Sequence, residues 1–444
     1  MPTRIGEAVV TDPMIPPTVA GAQWGQVGIR TWETDRVRVV IAPDHFGGPL
    51  SSRVATAALA QGWTERGHEV VGVPMSDGGA GLVEAVHAAR GGDLVALTLP
   101  GAVGVADRPA TVLHVPGRSG GTAYAEASVA LDGVGTAADP LTLARGGSSA
   151  AAADLLVGAL GTGARRVVLG VGAVAVHDGG AGFLSRLTDL VGESGGAAPT
   201  EGAALGARLP ALRRALAGTE IVVAAATDIP LLGLHGAGAS LSERPGIDAA
   251  DAQAIERDVA AFAADLEEAA ARAADGAATR GSGAGSDLLA GARAHAGHRH
   301  AERPAPARRA TYSGAGGGLA FALALLGARV LAGSDVVATE VGLDDRIADA
   351  DLVVTGTAVL DGDALHEGVP AAVGSRAMTH GLPVVAIAHE VHVNRRELAR
   401  VGISAAYPVL DTPLSPTGGT EVDRTDALSA LRARGDRVAR SWGR

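Results

Sequence analysis

Runs of β-branched residues that stop on aspartate or glycine, each followed by a helical pattern, constrain this chain more than any other feature. V-R-V-V-I-A-P (37–43) is the first such run, ended by Pro43 and followed by Asp44. A helix pattern then runs from Ser51 to about Arg66, with Ser51 or Ser52 placed to cap it. H-E-V-V-G-V-P-M (68–75) is a second strand, and a helix opens at Gly79. The rhythm returns at 165–172, 220–227, 351–357 and 383–389. Continuous apolar strands alternating with helices are the signature of βαβ units on a parallel sheet buried on both faces.

Such a sheet gathers its functional groups at the carboxyl ends of its strands. There the sequence places Asp44, Asp77-Gly78-Gly79, His177-Asp178-Gly179-Gly180 and Asp228. Glycines opening a helix free backbone N–H groups to meet an anion, and the helix dipole favours negative charge at that end. The carboxylates can hold Mg²⁺ on a phosphate or accept a proton. Singly, each Asp-Gly-Gly also reads as a helix cap or turn; four at corresponding strand ends point to a site. Y-S-G-A-G-G-G-L-A (312–320) opens onto an apolar helix without a strand before it. It reads equally as an anion cradle or as tight helix packing on glycine.

Composition removes many alternatives. The chain has no cysteine, which excludes disulfide scaffolds, iron–sulfur clusters and thiol nucleophiles. It also has no lysine: all 37 basic residues are arginine, so P-loop and Schiff-base lysines are absent. A net charge of −11, no basic run and only 2% aromatic residues argue against nucleic-acid binding. No apolar run reaches the ~18–20 residues of a membrane span, and the start lacks a secretory pattern; a cytoplasmic, soluble protein is expected. At 444 residues and 47% hydrophobic content, two or three domains can each bury a core. His295, His298 and His300 fall in an Ala/Gly/Arg-rich stretch with no accompanying carboxylate ring and read as a solvated loop.

Six motifs, in order, resemble those of bacterial glycerate kinases. I-A-P-D-H-F-G-G-P-L-S (41–51) is similar to that family's I-A-P-D-S-F-K-G-S-L-S. P-M-S-D-G-G-A-G-L (74–82), G-V-G-A-V-A-V-H-D-G-G-A-G (170–182) and T-D-I-P-L-L-G (227–233) follow, then G-A-G-G-G-L (314–319) and D-L-V-V-T-G-T-A-V-L-D (351–361). The resemblance implies a two-domain α/β fold. A Rossmann- or flavodoxin-like parallel-sheet domain would come from 36–85 and 311–430. A second α/β domain would be inserted at 86–310 with a mobile insertion at 275–310, flanked by an extension at 1–35 and a tail at 431–444. It further implies phosphoryl transfer from ATP, with Mg²⁺, to a hydroxyl of D-glycerate or a similar small hydroxy acid. By the same resemblance Asp77, Asp178, Asp228 and Asp361 are the catalytic candidates. Asp44, Gly78, Gly79, Gly179, Gly180, Gly314, Gly316, Gly317, Gly318, Thr355 and Gly356 are the nucleotide-binding candidates.

The departures fall on charge-bearing positions. Where the family's first motif carries serine, lysine and serine, this chain has His45, Gly47 and Pro49. Ala80 and Leu82 stand for glutamate and threonine, and Val174, Val176 and His177 for serine, threonine and asparagine. Thr357 and Val359 stand for glutamate and arginine, and a following Gly-Lys becomes Glu367-Gly368. Arg53, Arg145 and Arg244 lie near the motif regions and are the cations nominated as substitutes. Phosphoryl transfer rests on positioning and charge stabilisation, so the same motifs also fit a paralogue that keeps the fold and binds an anionic metabolite or a partner without turnover.

Overall fold

The computed structural model of the protein describes residues 36–47, 50–100, 107–131, 139–172, 174, 176–191, 199–281, 306–409 and 424–443. Two sheets organise them. The first contains β1 (Arg38–Pro43), β2 (Glu69–Gly72), β9 (Leu352–Leu360), β10 (Val384–Val391) and β11 (Ala405–Pro408) in the order β11-β10-β9-β1-β2, all parallel. The register sets Val39 opposite Leu352 and Pro43 opposite Gly356, so β1 and β9 are central and buried on both faces. Their unbroken apolar runs follow from that burial. Pro43 lacks an N–H and ends β1, turning the chain into Asp44.

The second sheet contains β3 (Asp93–Leu99), β4 (Arg108–Val115), β5 (Thr122–Glu126), β6 (Arg166–Val171), β7 (Glu220–Ala225) and β8 (Arg329–Ala332), in sequence order. β3, β4 and β5 form an antiparallel meander, and β5 through β8 are parallel. Helices Leu82–Arg90 and Gly333–Glu340 lie in a layer common to both sheets. There Leu82, Val86 and Val337 join one apolar cluster with Val40 and Val353 of the first sheet and Tyr124, Val168 and Val222 of the second. At the edge of this layer Glu340, 8% exposed in its side chain, accepts from Arg90 (2.6 Å), Arg166 (2.6 Å) and the Tyr124 hydroxyl (2.5 Å).

Two boundaries differ from those expected. Residues 311–332 complete the second sheet and not the first: β8 pairs with β7, and Phe321 of helix Leu319–Leu325 is buried in the second sheet's outer core. Helix Arg424–Trp442 occupies the expected tail. It packs on helix Ser52–Thr64, with Leu431 and Val438 buried beside Leu59 and Trp63. Gly62 lets the two backbones meet, since a Cβ there would stand 2.7 Å from Asp436 Cα. Helix Ala249–Gly281 enters the expected insertion at 275–310, while 282–305, the three histidines at 295–300 and the 1–35 extension lie outside the described residues. Among the described residues no helix is long and apolar enough to cross a membrane.

Candidate active site

Asp44, buried, and Asp77, half-buried, form a carboxylate pair at the ends of β1 and the β2 segment. Asp44 is 6% exposed; its N–H donates to Gly356 O of β9 (2.8 Å), and its Oδ1 accepts from His45 N (2.8 Å). Asp77 Oδ1 accepts from Gly79 N (2.7 Å). Burial pushes both carboxyls above the usual range, and the Asp77 charge raises Asp44 further, while His45 moderates Asp77. The Asp77 loop lies against the second sheet. Gly78, at φ +98°, sits where a Cβ would stand 2.7 Å from both Ala224 O and Gly333 Cα, and only glycine meets both demands. Glu126, at the end of β5, accepts from Gly81 N (3.1 Å) and Val83 N (2.8 Å), securing the start of helix Leu82–Arg90.

Asp228 follows β7, and the other sheet comes to meet it. Its Oδ2 lies 3.0 Å from His366 Nε2, on the turn after β9. Asp361 starts that turn by accepting Ala364 N on its carboxylate (3.0 Å) and Leu365 N on its carbonyl (3.2 Å). Asp228, His366 and Glu367 each offer a donor atom within 4.8 Å of the others. Burial and the Asp228 charge raise the Glu367 carboxyl. The Tyr312 hydroxyl is hydrogen-bonded to Glu367, and burial together with that carboxylate raises the phenol. Tyr312 has φ +70°, the one positive value outside glycine among the described residues, and its N–H donates to Asp228 O (2.8 Å). These side chains border a cavity of about 420 Å³ that Ser334 and Asp335 complete.

Asp178 is placed differently. Its carboxylate accepts from Ser149 N (2.8 Å), Ser149 Oγ (2.8 Å), Gly180 N (2.9 Å) and Gly182 N (3.1 Å), so it fixes the start of helix Ala181–Val191. Gly179 N donates to Gly317 O (3.0 Å), and Gly314 N donates to Ile229 O (2.9 Å). Gly316, Gly317 and Gly318 are buried with φ of +63°, +61° and +101°, and a Cβ on Gly317 would collide with Val176 O. Of the two readings of this glycine run, close packing is the one its contacts account for. Thr355 is fully buried and donates its hydroxyl to Ala42 O (2.9 Å), a bond within the sheet.

The three arginines nominated as substitutes all have partners. Arg53 pairs with Glu84 (3.0 Å), Arg145 with Asp251, and Arg244 donates to Val174 O (2.9 Å). His177, 4% exposed, has no hydrogen-bond partner at Nε2, and burial with the Arg244 charge lowers it to about 4. Glu126, Tyr312, His366 and Glu367 were not singled out as site residues from sequence. The glycine-rich run opening at Tyr312 and the Glu367-Gly368 departure marked parts of the neighbourhood, but no spacing joins His366 to Asp228, 138 positions away.

Comparison with known proteins bears on this arrangement. The glycerate kinase family model matches residues 39–443. An uncharacterized protein of Mycobacterium bovis is 30% identical over 423 residues, spanning 94% of this chain and 95% of its own. The glycerate kinase of Bacillus subtilis is 28% identical over 385 residues, 84% of this chain and 90% of that one. The glycerate 2-kinase of Escherichia coli K12 is 27% identical over 388 residues, 84% and 91% of the two chains. Among solved structures, that of a candidate glycerate kinase 2 from Salmonella typhimurium LT2 matches with a TM-score of 0.62 at 23% identity, over 91% of this chain and 98% of its own. That likeness speaks to the fold, and the family match runs from within β1 past β11. The chain belongs to the glycerate kinase family.

Proposed function

We propose that the chain transfers a phosphoryl group from ATP, with Mg²⁺, to a hydroxyl of D-glycerate or a closely related hydroxy acid. One observation carries the reading: the contact between Asp228 and His366 joins the strand ends of both sheets at one cavity. Two carboxylates and an imidazole within 4.8 Å, with Glu367 raised by burial and by its neighbour's charge, form a donor set that a divalent cation relieves. Asp228 and Glu367 would hold Mg²⁺, which supplies charge neutralisation at the phosphates. Tyr312 and the Asp228 N–H orient Glu367. The Asp44–Asp77 pair, whose carboxyls burial raises above the usual range, would accept the proton of the substrate hydroxyl in its ionised form. Asp178 and Asp361 act as positioning residues, since their carboxylates are engaged by backbone donors. ADP release coupled to D-glycerate, and its loss in Asp228→Asn, tests the assignment.

A second reading has its own support. The chain has no lysine, and the three substitute arginines are each committed to a partner. Removing one preorganised charge-stabilising group commonly costs about 10²–10³ in rate, so a fold-retaining paralogue without turnover is the alternative. The same assay separates the two: kinases of this chemistry turn over at about 1–100 s⁻¹, and the missing cations support a rate below that range.

A further inference from the structure

The cluster at Asp228 contains one donor that a magnesium site does not call for. His366 Nε2 stands 3.0 Å from Asp228 Oδ2, and with Glu367 the three residues bring donor atoms within 4.8 Å of one another. Mg²⁺ takes oxygen ligands and gives up its water reluctantly, whereas imidazole suits zinc, nickel and iron. Among the described residues no arginine pairs with either carboxylate, and the one ionic contact is with His366 itself.

The same stretch is where the sequence departs from its family. Glu367-Gly368 stands in place of Gly-Lys, so a fixed ammonium is absent and a carboxylate sits beside a histidine instead. In a chain without lysine, a dication held there neutralises the two carboxylates and supplies positive charge at the edge of the cavity.

Resting on the assignment of Asp228 and Glu367 as cation ligands, we infer that the triad Asp228–His366–Glu367 is a site for a first-row transition dication of the zinc type, bound more tightly than Mg²⁺ because His366 is its third ligand. Ligands bonded at about 2.0–2.2 Å in a tetrahedron stand about 3.3–3.6 Å apart, so the triad closes on a metal with movement on the order of 1 Å. His366, 69% exposed in its side chain, is free to make that movement, and its ring proton moves to Nδ1 as Nε2 turns to the metal. Glu367 is held from outside: Tyr312 hydrogen-bonds its carboxylate, and Ser334 Oγ donates to its carbonyl (2.7 Å). Three protein ligands leave a fourth position open toward the cavity of about 420 Å³, for water or a phosphate oxygen, as in sites that work on a ligand.

Calorimetry on the full chain without nucleotide, with Zn²⁺, Co²⁺ and Mg²⁺ added singly, tests this. The wild type binds one Zn²⁺ or Co²⁺ at this site more tightly than Mg²⁺, and bound Co²⁺ absorbs more strongly in the visible than the aqueous ion. His366→Gln, at an exposed position, keeps the fold and weakens Zn²⁺ and Co²⁺ at least about tenfold, the scale for losing even a group that only supports a metal ligand. It leaves Mg²⁺ unchanged, whereas Asp228→Asn weakens all three. Replacing His295, His298 and His300 together by alanine keeps the site, which separates it from that histidine-rich stretch. Zn²⁺ bound no more tightly than Mg²⁺ overturns the proposal. So does Zn²⁺ affinity that survives His366→Gln or disappears with the three distant histidines. Binding is read without turnover, so an inactive enzyme leaves these results standing. Conversely, Zn²⁺ affinity indifferent to His366, with glycerate-dependent ADP release still lost in Asp228→Asn, removes the imidazole from the site and spares the kinase reading.

Discussion

Acidification should weaken the wild-type fold through His177, and His177→Phe should remove that loss. The imidazole is held at about 4 by burial and by Arg244, against an ordinary value near 6.5. Between those values the unfolded chain binds a proton that the folded chain refuses, so the stability contribution is lost as pH falls from about 6.5 toward 4. From pH 7 to pH 5 the two-state linkage for one such group amounts to about 2 kcal/mol. The raised carboxyls of Asp44 and Asp77 act with the opposite sign: their contribution is present below the ordinary carboxylate range and lost as pH rises. Both proteins keep that pair, so it cancels in the difference. At pH 7 the substitution removes an unsatisfied buried nitrogen and leaves stability equal or slightly higher. Urea midpoints followed by circular dichroism at pH 7 and pH 5 provide the comparison. The variant should gain on the wild type by about 2 kcal/mol on acidification. Parallel behaviour of the two proteins at both pH values would refute the burial argument.

Other substitutions probe the frame around the site. Glu340→Ala strands Arg90 and Arg166, both partly solvated, and should cost about 2–3 kcal/mol in thermal denaturation. Gly317→Ala must place a methyl on Val176 O at a left-handed backbone position, so it should destabilise by more than about 1–2 kcal/mol and impair the 176–180 turn; an unchanged melting temperature would contradict the packing described. Asp178→Asn keeps one acceptor at the helix start but sets its amide N–H groups against backbone donors, so it should cost about 1–3 kcal/mol, with turnover falling less than about tenfold. A fall of 10²–10⁴, the usual scale for losing a general base, would make Asp178 a catalytic group.

The parallel strands were legible because burial on both faces leaves unbroken apolar runs such as V-R-V-V-I-A-P, and the expected strands at 37–43, 165–172 and 220–227 correspond to β1, β6 and β7. The antiparallel β3–β5 meander was not legible. β3 is largely exposed, β4 carries Pro109, and their half-solvated patterns resemble loops at the level of periodicity. β8 is four residues long and half-buried, so nothing local assigns it to the second sheet. Among site residues, the strand-end aspartates were legible from position alone. Their environments were not: Asp44 and Asp178 look alike in sequence, yet one is desolvated beside a second carboxylate and the other is saturated by backbone donors. The pairing of Asp228 with His366 and Glu367 depends on how the two sheets meet, which no spacing rule encodes.

A coupled ADP-release assay with Mg²⁺·ATP, with and without D-glycerate, tests the central claim most directly. The account predicts glycerate-dependent turnover below about 1 s⁻¹, the lower end of the kinase range, falling at least about a hundredfold further in Asp228→Asn, the scale for losing one charge-organising group. ADP release that ignores D-glycerate, or that Asp228→Asn leaves unchanged, would contradict it.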